Sequence, residues 1–231
     1  MKKFYEFKLS SEAEDTTELL IHGDITSLKW EASDVGSFDI AKELKEVKSS
    51  NLLVRINSYG GEVAQGLGIY NLLKSFKGRV TTANDGFACS AASVIFMAGE
   101  KRVMPRSSLL MIHNAATIAY GDSNDFKKMA DTLEKVTQPS VEVYKAVSKL
   151  SEVEIKKMMD DETWISADEA LEYGFATHVI EQEPTQSLGN HYLHKVVMEL
   201  KALKHQQSAA TPPMHEDPDP VWGNYFGTKG E

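Results

Sequence analysis

The sequence of 231 residues has little of what marks secretion, membrane insertion or nucleic-acid binding. It has one cysteine, Cys89, so no internal disulfide ties the fold to an oxidising compartment. Its longest apolar run, residues 91–99, is far shorter than the roughly 18 residues that a membrane helix needs. Its 25 Lys and Arg are outnumbered by 34 Asp and Glu, and the formal charge of −9 gives no electrostatic reason to bind phosphate backbones. We expect a cytoplasmic protein without nucleic-acid or membrane partners.

Short apolar runs alternate with helical patterns in the first part of the chain. Runs typical of strands occur at residues 18–25, 52–57 and 79–83. A mixed stretch through Leu44 and a helical pattern at residues 64–76 separate these runs. Such alternation is typical of βαβ units around a largely parallel sheet, so the sequence predicts an α/β fold.

Helices are predicted in the second part of the chain. Residues 123–150 carry apolar side chains at helical spacing, in a pattern that Pro139 interrupts. A stripe of this kind is usually intramolecular core, but on so long a helix it can also pack against another subunit. Two shorter helices are predicted to begin at Ser151 and Ser166, because each serine is followed three residues later by a glutamate, as in a capping box.

The composition changes after Glu181, where the sequence becomes polar and rich in proline. This change marks a domain boundary, so we expect one domain over residues 1–181 and a partly disordered C-terminal extension over residues 182–231. A short amphipathic helix is predicted at residues 192–203. Two histidines of the extension, His191 and His194, lack further ligands, and we predict no metal site.

A glycine-containing turn, Asn-Ser-Tyr-Gly-Gly at residues 57–61, lies between a predicted strand and a predicted helix. Backbone amides at such a place can point at a developing negative charge. A simple tight turn explains the same residues equally well. The turn lacks the Gly-Lys-Ser/Thr end of a nucleotide-binding loop, so we predict no nucleotide and no other cofactor.

Ser90 follows a predicted strand and precedes the apolar run, with small residues on both sides. At the first turn of a buried helix, the helix dipole favours negative charge and the next amide can donate to an oxyanion. The alternative is that Ser90 or Ser93 merely caps the helix, which is the more common role of a serine before an apolar run.

Two further polar features come later. His113 ends an apolar strand, where a histidine is more often structural than a general base. The acidic residues 160–162 precede a predicted strand, and such a cluster is usually a solvated helix end.

Four blocks of the sequence together resemble the Clp proteolytic-subunit (ClpP) family, and more closely its phage-encoded relatives, the head-maturation proteases. They occur in the family's order and near its spacings, and the resemblance extends from about Leu19 to Ile180. It implies a ClpP/crotonase-like fold of stacked βαβ units with a long protruding handle helix, and a ring-shaped homo-oligomer. The blocks are residues 55–61, 85–99, 111–114 and 162–174.

The resemblance also implies a serine peptidase site. By this resemblance Ser90 is the nucleophile, His113 is its general base, and the amides of Gly61 and Ala91 form the oxyanion hole. The glycine turn departs from the family's usual Asn-Ser-Pro-Gly-Gly, because Tyr59 replaces the proline, but both glycines are kept.

The third member of the implied triad is an acid within residues 160–162. An ungapped reading from His113 points to Glu162, with Asp161 as the alternative. The family normally has aspartate here, but the chemistry needs only a carboxylate that accepts a hydrogen bond from the imidazole.

The resemblance leaves several functions open. We favour phage head maturation in the host cytoplasm, with scaffold or capsid proteins as substrates. The alternative is a degradative subunit that works with a separate Clp ATPase, because no nucleotide motif is found in this chain. Two readings of another class are a crotonase-type acyl-CoA enzyme, which also uses amides as an oxyanion hole, and a non-catalytic assembly protein.

Overall fold

The computed structural model describes residues 7–9, 15–28 and 34–181. The predicted C-terminal extension, its amphipathic helix and its histidine pair lie outside these residues. The strands are β1 (Phe7–Leu9), β2 (Thr16–Ile21), β3 (Asn51–Ser58), β4 (Arg79–Cys89), β5 (Lys101–Pro105), β6 (Leu109–Ile112), β7 (Thr163–Ser166) and β8 (His178–Ile180). The helices are α1 (Ser37–Leu44), α2 (Val63–Lys74), α3 (Ala91–Phe96), α4 (Ser123–Val147), α5 (Glu152–Asp160) and α6 (Ala167–Tyr173).

One sheet contains all eight of these strands, in the order β1-β2-β3-β4-β5-β8, with β6 and β7 branching from β4. The pairs from β2 to β8 along this path are parallel, whereas β1 lies antiparallel to β2. Helical crossovers such as α2 are what parallel neighbours require. The predicted α/β class is confirmed, and the predicted strands at residues 52–57 and 79–83 both extend further than their apolar runs.

Strand β4 divides the sheet into two branches. Its first half pairs with β5 through Thr81–Ala83, and its last three residues pair with β6 through Phe87–Cys89. The second branch continues to β7, which is antiparallel to β6. The ends of β4 and β6 and the start of β7 therefore meet at one place. The residues that follow β4 and β6 and the residue that precedes β7 lie near this place.

Helix α3 is the centre of the core, because each of its six residues is buried. Helix α2 packs directly on it: a Cβ added at Gly66 would lie 2.8 Å from the Ala91 Cβ, so the two helices approach closely. The apolar run after Ser90 thus begins with a buried helix, as expected from the sequence.

The long helix predicted from the sequence is confirmed as the 25-residue α4. It continues through Pro139, so the proline does not interrupt it as the sequence pattern suggested. Its buried residues all come from the second half, Ser140, Val141, Val143 and Tyr144. In this chain the first half of α4 lies almost entirely in solvent, as expected of a protruding helix.

The two predicted capping boxes are present. Ser151 accepts from the Glu154 amide at the start of α5, and Ser166 accepts from the Glu169 amide at the start of α6. Within the ranges described, no helix combines the length and the apolar character needed to cross a membrane.

Candidate active site

The glycine turn packs against the residues around Ser90. Gly60 has a φ of 102°, and a Cβ at this position would lie 2.7 Å from the Ser90 Cβ and 2.6 Å from the Cys89 carbonyl oxygen. Gly61 has a φ of 142°, and its Cβ would lie 2.2 Å from the Ile25 carbonyl oxygen. Both positions therefore require glycine, for backbone conformation and for space.

Ser90 lies at the sharp junction between β4 and α3. Its φ of 54° and ψ of −125° are unusual for a residue with a side chain. Its amide donates to the Met111 carbonyl at 2.8 Å, which ties the turn to β6. Although Ser90 is the N-cap residue of α3, its side chain makes no capping hydrogen bond. The structure thus does not support the simple capping role that the sequence left open.

His113 lies directly beside this serine. Cys89 pairs with Met111 in the parallel β4–β6 register, so the residues that follow each strand meet at the same edge of the sheet. The His113 Nε2 is 2.8 Å from the Ser90 Oγ. In a neutral imidazole with its proton on Nδ1, Nε2 accepts the hydrogen bond that the serine hydroxyl donates.

The acidic residues 160–162 have three different environments. Asp160 accepts a hydrogen bond of 2.7 Å from the Asn114 side chain. Asp161 forms an ion pair with Lys157 one turn earlier. Glu162 is exposed, and its carboxylate makes no hydrogen bond to another described residue. Over the residues that the structure covers, His113 donates no hydrogen bond to a carboxylate.

Glu162 is nevertheless the acidic residue towards which the strand register points. In the antiparallel β6–β7 register Met111 pairs with Trp164 and Ile112 with Thr163, and continuation of this register by one residue would bring Glu162 opposite His113. Glu162 also has a φ of 48°, in the left-handed region that glycine or asparagine usually occupies after a helix.

Cys89, next to the serine, is fully buried. Burial, and secondarily the negative charge of Glu162, raises the pKa of the Cys89 thiol to about 12. The thiol is therefore protonated at neutral pH, which makes Cys89 a packing residue and not a nucleophile.

The amides of Gly61 and Ala91 are free to receive a ligand. Neither donates to another residue in the described ranges. A Cβ at Gly60 would lie 3.0 Å from the Ala91 nitrogen, so the glycine turn and the start of α3 are in direct contact. Amides arranged in this way can stabilise an oxyanion.

Ser90, Ala91 and His113 line one cleft together with residues of α4. The α4 residues that line it are Ser140 and Tyr144. Sequence reasoning assigned no role at the site to Tyr144, because its helical spacing indicated only a buried stripe. Among the described residues, no group of three metal-ligating side chains lies close enough to hold a metal ion.

Comparison with known proteins indicates one family. The family model described as Clp protease matches residues 11–183. The ATP-dependent Clp protease proteolytic subunit of Deinococcus radiodurans is 34% identical over 129 residues, which are 55% of this chain and 63% of that protein. Proteolytic subunit 3 of Rhodococcus jostii is 32% identical over 132 residues, 56% of this chain and 65% of that protein. The chain thus spans slightly less than two thirds of the length of these two relatives.

Two further comparisons cover more of the chain. Proteolytic subunit 2 of Thermobifida fusca is 29% identical over 177 residues, 74% of this chain and 87% of that protein. The solved structure of a ClpP1 mutant from Listeria monocytogenes matches with a TM-score of 0.61 and 26% identity, and covers 72% of this chain and 92% of that one. The predicted ClpP-like fold is thereby confirmed.

Proposed function

The chain belongs to the Clp protease family, and we propose that it is a serine endopeptidase in which Ser90 attacks the peptide carbonyl. The observation that carries this proposal is the 2.8 Å contact between the Ser90 Oγ and the His113 Nε2. A serine hydroxyl is a poor nucleophile until a neighbouring base takes its proton. His113 lies at the distance that this proton transfer needs.

In the proposed reaction, Ser90 Oγ bonds to the carbonyl carbon while its proton moves to His113. The carbonyl oxygen becomes an oxyanion, which the amides of Gly61 and Ala91 stabilise. His113 then gives the proton to the leaving amine, and an acyl-enzyme on Ser90 remains. Water, deprotonated by His113, hydrolyses this ester and restores the serine.

Glu162 is the acid that we propose to orient His113. Its position in the strand register, its left-handed backbone and its electrostatic effect on Cys89 support this choice. Asp161, the alternative, has an ion pair with Lys157 that competes for its carboxylate. A glutamate at the surface can turn towards the imidazole when substrate or a second subunit covers the cleft.

The proposed setting is phage head maturation in the host cytoplasm, with scaffold or capsid protein as substrate and a ring-shaped homo-oligomer as the working form. The sequence resemblance to phage-encoded relatives supports the assignment of scaffold or capsid protein as the substrate. Two apolar side chains of α4, Phe126 in its exposed first half and Val136 near its middle, lie partly in solvent. They support a ring-shaped homo-oligomer, because another subunit could bury them.

A degradative role with a separate ATPase is the second candidate, because the curated relatives are named ATP-dependent Clp protease subunits. The two settings differ in their need for ATP. Purified protein mixed with a scaffold protein would cleave it without ATP in the first setting. In the second, degradation of a folded substrate would require a Clp ATPase and ATP.

The Ser90→Ala variant tests the proposed chemistry. We expect loss of peptide hydrolysis with no change in thermal unfolding, because the hydroxyl makes no capping bond. Cys89→Ala is the matched control at the neighbouring residue and should keep its activity. Hydrolysis by Ser90→Ala at the wild-type rate would contradict the nucleophile assignment, and turnover of acyl-CoA thioesters without peptide hydrolysis would favour the crotonase-type reading.

A further inference from the structure

The carbonyl oxygen of Ser90 accepts an unusual number of hydrogen bonds. The Ser93 Oγ donates to it at 2.6 Å, and the Ser93 and Val94 amides donate at 2.9 and 3.4 Å. The two amide bonds are those expected at the start of a helix. The bond from the Ser93 side chain is additional, and it connects the turn to a second side chain.

That second side chain is Tyr144 of α4. The Tyr144 hydroxyl oxygen is 2.8 Å from the Ser93 Oγ. A serine hydroxyl has one proton, and Ser93 uses its proton on the Ser90 carbonyl. Tyr144 must therefore be the donor in the second bond, which gives a directed chain from Tyr144 through Ser93 to Ser90.

This chain is shielded from solvent. Ser93 is fully buried and Tyr144 is 1% exposed. Burial raises the pKa of the Tyr144 phenol, so its proton is retained and remains available for donation. Hydrogen bonds in such an environment are stronger than in water and polarise one another.

The Ser90 carbonyl shares a peptide unit with the Ala91 amide. Because this unit is planar, fixing the direction of the carbonyl also fixes the direction of the N–H group. A hydrogen bond accepted by the carbonyl further polarises the N–H group as a donor. The Ala91 amide is one of the two oxyanion donors in the proposed mechanism.

We propose that Ser93 and Tyr144 are positioning residues that orient and polarise the Ser90–Ala91 peptide for oxyanion stabilisation. This proposal rests on the peptidase function proposed above. The two side chains do not touch the reacting atoms; they act through the Ala91 amide. Their effect is therefore confined to states in which the substrate oxygen carries negative charge.

The Tyr144→Phe variant tests the proposal, because it removes the hydroxyl and keeps the edge-to-face ring contact with Phe175. We expect kcat for a peptide substrate to fall roughly tenfold, the effect of losing about one net hydrogen bond, with KM nearly unchanged. The affinity for a peptide boronate, which forms a tetrahedral adduct on a serine, should fall by a similar factor.

Tyr173→Phe is the matched control, because its ring also contacts Phe175 but it lies outside the chain of hydrogen bonds. It should keep wild-type kcat and boronate affinity. Ser93→Ala interrupts the chain at its middle and should reproduce the loss of kcat. The double variant Ser93→Ala with Tyr144→Phe should lose little more than either single variant, because both act in one chain.

The proposal is overturned if Tyr144→Phe and Ser93→Ala lower the unfolding temperature but leave kcat and boronate affinity at wild-type values. Such a result would assign the chain a purely structural role. The proposed peptidase function would not be affected by this result, provided that the wild-type protein hydrolyses the peptide. Absence of hydrolysis by the wild-type protein would instead count against the proposed function itself.

Discussion

Ser90 and Glu162 share a rare backbone conformation but differ in how the protein holds it. They are the non-glycine residues with positive φ in the ranges described, at 54° and 48°. Ser90 lies between a sheet and a fully buried helix, with hydrogen bonds to its amide, carbonyl and side chain. Glu162 is exposed, and its carboxylate has no hydrogen-bond partner among the described residues. The proposed nucleophile is therefore fixed by the core, whereas the proposed acid is fixed only through its backbone.

Each of these conformations costs roughly 1–3 kcal/mol, and such strain persists only where the surrounding structure enforces it. At Glu162 the enforcement comes from the end of α5. The Glu162 amide donates to the Met159 carbonyl at 3.2 Å, and the Thr163 hydroxyl donates to the Met158 carbonyl at 2.7 Å. The turn is thus defined, while the carboxylate remains free to change its contacts.

The largest effect is expected on the Ser90 side of this comparison, from Gly60→Ala. The added Cβ would collide with the Cys89 carbonyl and the Ser90 Cβ, and the φ of 102° is unfavourable for alanine. We expect activity to fall roughly 10²–10³-fold, as when an oxyanion donor is lost or misplaced. Steady-state kinetics with a fluorogenic peptide measures this fall.

Gly68→Ala is the control for Gly60→Ala. Gly68 lies within α2, and its added Cβ would meet only the Ser37 side chain, at 3.0 Å or more. Activity of this variant should stay near the wild-type value. Equal activity of Gly60→Ala and the wild type would show that the glycine turn does not hold the nucleophile.

A smaller effect is expected on the acid side, from Glu162→Gln. Because His113 and Ser90 are already in contact, loss of the carboxylate removes orientation and charge stabilisation of the imidazolium but leaves the nucleophile in place. We expect kcat to fall by about 10²-fold. Asp161→Asn, one residue earlier, should leave kcat almost unchanged.

A larger loss of kcat in Asp161→Asn than in Glu162→Gln would assign the role of the acid to Asp161. A fall in kcat for neither variant would mean that the Ser90–His113 pair works without an acid from residues 160–162. Either result would break the proposed relation between the strained Glu162 backbone and catalysis.

Sequence reasoning reached the α/β class, the long α4 and both capping boxes, because local spacing determines these features. It also named Ser90 and His113, and the structure brings their side chains together. The hydrogen bonds that connect Tyr144 to the Ser90 carbonyl could not be predicted from the sequence, because a contact between residues so distant in sequence leaves no local pattern. The continuity of α4 through Pro139 was missed for a related reason: packing of the helix can outweigh a local breaker.

The smallest effect is expected from the capping box at the start of α6, which directly follows β7. Hydrogen bonds from the Ser166 side chain and amide hold the pKa of Glu169 below its ordinary value of 4.5. Because the folded-state pKa is the lower one, this contribution to stability is complete above pH 4.5 and is lost as the pH falls through the folded-state pKa.

We therefore expect Ser166→Ala to lower the unfolding free energy by about 1 kcal/mol at pH 7, with catalysis little changed. The difference from wild type should shrink below pH 4.5. Denaturant unfolding at several pH values measures it. A difference in unfolding free energy that grows on acidification would contradict the expected sign of this pH dependence. A large loss of kcat in Ser166→Ala would show that the position of Glu162 depends on the start of α6.

Labelling with a fluorophosphonate, followed by peptide mapping, tests most directly whether Ser90 is a nucleophile activated by His113. We predict one covalent adduct on Ser90 in the wild-type protein, absent in Ser90→Ala and formed much more slowly in His113→Ala. An adduct on Ser93 or another serine, or labelling of His113→Ala at the wild-type rate, would contradict the roles proposed for this pair.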